Sequence, residues 1–261
     1  MPADLSPIEK AKFAASKRAV DFVTDGMKVG LGTGSTAAWM VRCLADRVRE
    51  EKLTLTCVAT STRTADLARS LGLTVVSLEE ARWLDLTIDG ADEADNQLSL
   101  IKGGGAALLQ EKIVATASDR MIVIADAAKQ VHALGAFPLP VEVIPFGWTA
   151  TARLIEEHLA AQDVLGHEVR LRMKGDQPLR TDENNYILDL HLKRIGNPRA
   201  LALMLNQIAG VVENGLFIDI CDTLVLGHPD GRVEVIADDG TRTEGRVDIA
   251  ASANIFSDLG D

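Results

Sequence analysis

The stretch Asp89–Lys112, DGADEADNQLSLIKGGGAALLQEK, concentrates groups that could do chemistry. Asp89 and Asp92 stand three residues apart, after an apolar run, Leu84–Ile88, that reads as a strand reaching its end. Lys102 follows, then Gly103, Gly104 and Gly105, then a run of strong helix formers without proline that contains Glu111. On a helix, Glu111 neighbours Ala107, Leu108, Val114 and Ala115. Apolar surroundings disfavour a charged carboxylate, which is the setting of a general base that works near neutral pH. Taken alone, Glu111 reads more simply as a partly solvated helix residue paired with a Lys; the groups around it favour the base. Consecutive glycines let backbone approach a ligand closely, and at a helix start their N–H groups receive anionic oxygen. Lys102 places a full positive charge just before them. Asp89 and Asp92 suit proton transfer or sugar hydroxyls. Their alternatives are helix capping or, with Glu93 and Asp95, a Mg²⁺ or Ca²⁺ site. An EF-hand is excluded because Gly90 comes too early.

A second chemical feature lies at Met27–Ala37, MKVGLGTGSTA, which reads as strand, glycine turn and helix start. Thr33, Gly34, Ser35 and Thr36 would offer backbone N–H groups and hydroxyls at the positive end of a helix, a cradle for phosphate. No Gly-Lys-Ser/Thr ends the turn, so it is not a P-loop. Ser35 occupies the place of the third glycine of a dinucleotide fingerprint, and no acid follows the second strand to hold a ribose. The plain alternative is a tight turn that needs glycine for its geometry.

The elements that must position these groups alternate. Ser6-Pro7-Ile8-Glu9 opens a helix expected to run to about Thr24, with Lys10, Lys12 and Lys17 along it. Strands are expected at Thr54–Ala59, Leu73–Leu78, Leu84–Asp89 and Met121–Asp126, and helices at Thr62–Ser70 and Gly105–Ser118. Repeated β-α-β units imply a Rossmann-like α/β fold, a mostly parallel sheet flanked by helices. In such sheets ligands bind beyond the carboxyl ends of the strands. Thr33–Thr36, Thr60–Thr64, Asp89–Asp92 and Asp126–Lys129 all follow strands, so they should gather on one edge.

From Phe137-Pro138-Leu139-Pro140 the pattern changes. A strand at Val141–Ile144, a helix near Thr149–Ala160, a charged strand Glu168–Met173, a hairpin-like pair around Thr181–Asn185 and a helix Arg199–Ile208 suggest a smaller inserted α+β (ferredoxin-like) domain at 133–207. Residues 1–132 and 208–236 then form the main domain, with Leu216–Ile220 and Thr223–Gly227 returning to it, and 237–261 reads as a loosely held tail.

The chain has 261 residues, is 47% hydrophobic and carries a formal net charge of -11 with no basic stripe, which argues against a general nucleic-acid binder. An anionic substrate would therefore rely on individual cations such as Lys12, Arg63 and Lys129. Cys43, Cys57 and Cys221 are widely spaced and read as reduced thiols of a cytoplasmic protein. The five His have no metal-ligand spacing. There is neither a secretory signal nor an apolar run long enough to span a membrane.

GTGSTA, DGADE, KGGGAAL-x-x-EK and FPLPVEVIP occur in this order, and with them the chain resembles type A ribose-5-phosphate isomerase over roughly residues 6 to 236. The resemblance implies aldose–ketose isomerisation of ribose 5-phosphate in the pentose phosphate pathway, without metal or organic cofactor. It implies Glu111 as catalytic base, with Asp89, Asp92 and Lys102 beside it. It further implies contact with substrate from Thr33–Thr36, Asp89-Gly90-Ala91-Asp92, Lys102–Gly105, Lys129 and, aligned less closely, Lys12. A homodimer or homotetramer is expected. Three other functions fit parts of this pattern. An amino-sugar-phosphate deaminase or lactonase would enlist a His near the motifs, and none lies there. A CoA transferase would use a Glu as nucleophile. A sugar-phosphate sensor would need a DNA-binding module, for which the chain has no spare basic helix-turn-helix.

Overall fold

The computed structural model describes residues 5–249. Ser6 caps α1 (Pro7–Ala19) by accepting the Glu9 N–H, and Pro7 sits in the first turn. The helix stops short of Thr24. Val20–Phe22 tightens into a 3₁₀ turn, and Val23 is already extended. There follow β1 (Lys28–Leu31), α2 (Ser35–Glu51), β2 (Thr56–Ala59), α3 (Thr62–Ser70), α4 (Leu78–Ala81), β3 (Leu86–Gly90), β4 (Glu93–Ala94), β5 (Leu100–Ile101), α5 (Leu108–Thr116) and β6 (Met121–Asp126). The second half of the chain gives β7 (Leu139–Val143), α6 (Trp148–Leu159), β8 (Glu168–Leu171), β9 (Met173–Lys174), β10 (Gln177–Pro178), β11 (Tyr186–His191), α7 (Pro198–Leu205), β12 (Val211–Asn214), β13 (Leu216–Phe217), β14 (Thr223–Gly227), β15 (Arg232–Ala237) and β16 (Arg242–Arg246).

The chain divides into two compact units. The first comprises the chain up to Gly90, Ile113–Lys129 and the chain from Cys221. Its seven-stranded sheet has the order β16-β15-β14-β6-β3-β1-β2. The pairs from β14 through β2 are parallel, and β15 and β16 add an antiparallel edge. Buried Phe13, Leu31, Met40, Leu44, Ile88 and Ile124 belong to its core. Burying one such side chain contributes about 1.5–3 kcal/mol. Register fixes where the loops emerge: Leu31 pairs with Ala59 and Ile88, and Gly90 with Ile124. The segments after β1, β2, β3 and β6 therefore leave the same edge of the sheet.

The second unit comprises Ala91–Lys112 and Gln130–Ile220, so it takes in more than the stretch 133–207. Apart from the short β9–β10 pair, β7, α6, β8, β11, α7 and β12 follow one another here, and the sheet order β12-β7-β11-β8 is antiparallel throughout. That is the β-α-β-β-α-β arrangement expected of a ferredoxin-like domain.

Other expected elements differ as well. Leu73–Leu78 is not a strand: only Val75 bridges to Cys57, and Ser77 with Glu80 forms a capping box that starts α4. Leu216–Phe217 does not return to the large sheet but pairs with Leu100–Ile101 in the second unit. Arg242–Arg246 is a paired strand rather than a loose tail, because Asp239-Gly240 turns the chain back onto β15. The rest of the expected tail, 250–261, lies outside the described residues.

Candidate active site

In the first unit the site is built on the turn after β1. Gly32 lies so close to β3 that an added Cβ would stand 2.0 Å from Asp89 Oδ1 and 2.5 Å from Asp89 Cα. Only glycine fits there, which explains its place in the motif better than flexibility does. Asp89 is fully buried at the end of β3, and its Oδ1 accepts the N–H groups of Thr33 (3.0 Å) and Gly90 (2.7 Å). A carboxylate so bound fixes the turn in place. Gly34, at φ +117°, is the N-cap residue of α2, and no side chain caps that helix.

The hydroxyls of the turn divide in two. Thr33 Oγ1 is 2.8 Å from both Thr60 Oγ1 and Ser61 Oγ and 3.2 Å from Thr64 Oγ1, inside a buried cluster. Thr33 thus braces the turn against the segment after β2. Ser35 is exposed and Thr36 half-buried in the first turn of α2. Lys12, half-buried on α1, pairs with Glu9 at 2.6 Å. Burial pushes the Glu9 carboxyl up, but the bonds from Lys12 and Trp39 outweigh it and hold it below its ordinary 4.5. Lys129 ends a short 3₁₀ turn after β6 and is half-buried.

The second unit holds the other groups. Lys102 and Glu111 are each 2% exposed, and Lys102 Nζ lies 3.3 Å from Glu111 Oε2. The ammonium supplies the charge that a buried carboxylate requires. Phe217, on β13, lies beneath two ammoniums: Lys102 Nζ is 5.3 Å and Lys112 Nζ 4.9 Å from its ring centre. Lys112 donates to Glu213 (2.8 Å) and to the Asn214 carbonyl (2.6 Å). Burial pushes its ammonium below the ordinary lysine value, and Glu213 opposes that shift.

The glycine segment departs from expectation. Helix α5 begins at Leu108, with its first bond from the Glu111 N–H to Ala107, so the glycines do not form the helix start. Ala106, at φ +62°, closes a turn by donating to the Gly103 carbonyl, and this turn ends before the helix begins. Nor is the Gly104 N–H left for a substrate anion: it donates to the protein's own Asp92 Oδ2 at 2.7 Å. Gly103, at φ +105°, is pressed against Leu108 and Pro140, which excludes a side chain. Gly105 is exposed and Ala91 half-buried. Sequence reasoning missed Arg172, whose guanidinium donates to the Gly103 and Gly104 carbonyls, and Asp189, which holds Arg172. Arg172 directly follows β8 and Asp189 lies on β11, charged segments with no motif to single them out. Among the described residues no group of three or more His, Cys, Asp or Glu stands together as a metal site.

A buried carboxylate beside a fixed ammonium, as at Glu111 and Lys102, can move a proton at carbon. Comparison with known proteins gives the family of the chain. The family model for ribose 5-phosphate isomerase A (phosphoriboisomerase A) matches residues 56–231. Ribose-5-phosphate isomerase A of Cereibacter sphaeroides is 73% identical over 262 residues, with all of both chains covered. Its counterpart from Ruegeria pomeroyi is 67% identical, again over all of both chains. Among solved structures, D-ribose-5-phosphate isomerase in complex with phospho-erythronic acid superposes with a TM-score of 0.82 at 37% identity, covering 89% of this chain and 100% of that one. Ribose 5-phosphate isomerase A from Neisseria gonorrhoeae gives 0.78 at 37% identity, covering 88% and 97%.

Proposed function

Since the chain belongs to the ribose 5-phosphate isomerase A family, we propose that its interconversion of ribose 5-phosphate and ribulose 5-phosphate, a step of the pentose phosphate pathway, uses Glu111 as the base. The open-chain aldose carries C1 as an aldehyde and a hydrogen on C2. Glu111 takes the C2 proton, and the C–H electron pair becomes a C1–C2 double bond while O1 gains the negative charge. The resulting cis-enediolate passes its O2 proton to O1. Glu111 then returns its proton to C1, leaving a hydroxyl there and the ketone at C2. Donor and acceptor of electrons are adjacent carbons, so this route balances without an external hydride carrier.

Lys102 stabilises the enediolate oxygens; one such preorganised donor is worth about 10²–10³ in rate. Asp89 and Asp92 serve the transfer between O2 and O1 and the opening of the sugar ring. The first turn of α2, with Ser35 and Thr36, and the ammoniums of Lys12 and Lys129 take the phosphate, while Thr33 and Gly34 shape the turn and Gly103–Gly105 shape the loop beside Lys102. The buried Lys102–Glu111 pair carries this reading. The relative that binds phospho-erythronic acid adds support, because that ligand joins a phosphate to a carboxylate resembling the charged end of an enediolate.

Two finer readings accompany it. Exposed Phe146, Leu165 and Leu203 leave apolar surface that favours association of like chains as a homodimer or homotetramer, which sedimentation would test. Three free, buried cysteines suit the reducing cytoplasm. No helix among the described residues is long and apolar enough to cross a membrane. The mechanism is tested with Glu111→Gln. Turnover should fall by about 10²–10⁴-fold, the span of general-base catalysis, in protein whose circular dichroism matches the parent. Near-parental turnover would remove Glu111 as the base.

A further inference from the structure

One peptide unit in the second unit is gripped from both sides. The carbonyl of Gly103 accepts from Arg172 Nη1 at 2.8 Å, and the N–H of Gly104, the other end of the same peptide, donates to Asp92 Oδ2 at 2.7 Å. In a trans peptide the carbonyl and the N–H point in opposite directions. Fixing the carbonyl therefore fixes the direction from which Asp92 is held. Hydrogen bonds joined through one peptide also polarise each other. The Gly104 carbonyl accepts from the same Nη1 at 3.2 Å, so two successive carbonyls are tied to one nitrogen.

Arg172 is itself locked. Its Nε donates to Asp189 Oδ2 at 2.9 Å, and its Nη2 pairs with Asp189 Oδ1, a fork-on-carboxylate contact from the adjacent strand β11. The two side chains are only 14% and 19% exposed. A planar guanidinium can hold a carboxylate with one edge and carbonyls with another, whereas an ammonium cannot span both. The glycines supply the conformation: Gly103 at φ +105° turns its carbonyl toward Arg172 where a side chain would strike Leu108 and Pro140.

We propose that Arg172, held by Asp189, is a positioning residue for the isomerisation: it orients the Gly103–Gly104 peptide and, through the Gly104 N–H, the Asp92 carboxylate. This rests on the reading of Asp92 as part of the active site. A residue acting through Asp92 has no further effect once the Asp92 carboxylate is gone, which a residue that merely supports the fold does not satisfy.

The test is a double-variant cycle on the full-length enzyme with ribose 5-phosphate, using Arg172→Met, Asp92→Asn and the two combined. Arg172→Met should lower kcat by about tenfold or more, since small misplacements of catalytic groups cost up to about 10²-fold. In the Asp92→Asn background the same change should alter kcat by less than about twofold. Equal losses in both backgrounds, or no loss in the parent, would overturn the proposal while leaving the Asp92 reading intact. Asp92→Asn with parental turnover would overturn that reading, and the inference with it. Should Arg172→Met fail to fold, Arg172→Lys enters the same cycle with the same expected outcomes, because it keeps the charge beside Asp189 but not the fork.

Discussion

Lys102 and Glu111 are the two charges that the interior can hold only together. Each is withdrawn from water, and removing one partner of a buried pair costs about 3–5 kcal/mol, more than the pair itself adds. Lys102→Met should therefore unfold at markedly lower urea, with loss of turnover. Lys102→Met combined with Glu111→Leu should regain much of that stability without regaining activity. Urea titrations of the three proteins check this; a Lys102→Met variant as stable as the parent would show that the pair is not held as described. The burial of Glu111 was legible, since its helical neighbours are apolar. Its pairing with Lys102 was only partly legible, since a Lys nine residues earlier reaches it through a turn whose shape depends on Gly103 and Ala106. Arg172 was invisible for a different reason. Its contacts are with backbone carbonyls of a distant loop, and no spacing in sequence encodes them.

At the scale of elements, the turn after β1 and the end of β3 form one construction, because Gly32 and Asp89 share space that admits no Cβ. Gly32→Ala should push the Asp89 carboxylate off the Thr33 and Gly90 amides. The expected result is about 1–3 kcal/mol of lost stability, the usual cost of overpacking, together with at least tenfold lower kcat. Parental values in denaturation and turnover would contradict it. Helix α3 and strand β6 have the bounds that their sequences imply, because local propensity and burial agree there. At Leu73–Leu78 they conflict: a β-branched run suggests a strand, but Ser77-Leu78-Glu79-Glu80 carries its own helix-start signal and prevails. Strand β16 is exposed along its length, so no hydrophobic pattern marks it, and backbone pairing alone defines it.

For the molecule as a whole, alternation of strands and helices was enough to imply a parallel sheet whose segments after β1, β2, β3 and β6 leave its carboxyl edge. It could not assign Leu216–Phe217 to the correct sheet, because an apolar run is equally at home in either core. Stability should carry a signature of Glu142, buried on β7. Its Oε1 accepts from Thr181 and Asn185, and among the described residues its Oε2 has no hydrogen-bond partner. Burial, chiefly, raises its carboxyl above 4.5 against those two bonds, with Glu183 and Asp182 adding to the rise. The folded state thus binds this proton more tightly than the unfolded chain. Its contribution is complete below about pH 4.5 and declines as pH rises through the folded value, by at most about 1.4 kcal/mol per pH unit. Glu142→Gln should therefore melt above the parent at pH 7.5 and converge with it near pH 4; melting at or below the parent at pH 7.5 would contradict this. The central claim, proton transfer at carbon by one base through an enediolate, is tested most directly in D₂O. The enzyme is incubated with ribose 5-phosphate, and the ribulose 5-phosphate formed is examined by NMR. Solvent deuterium at C1, with both its appearance and turnover lowered by about 10²–10⁴-fold in Glu111→Gln, is the result this mechanism requires. Rapid ketose formation by Glu111→Gln, with or without deuterium at C1, would contradict it.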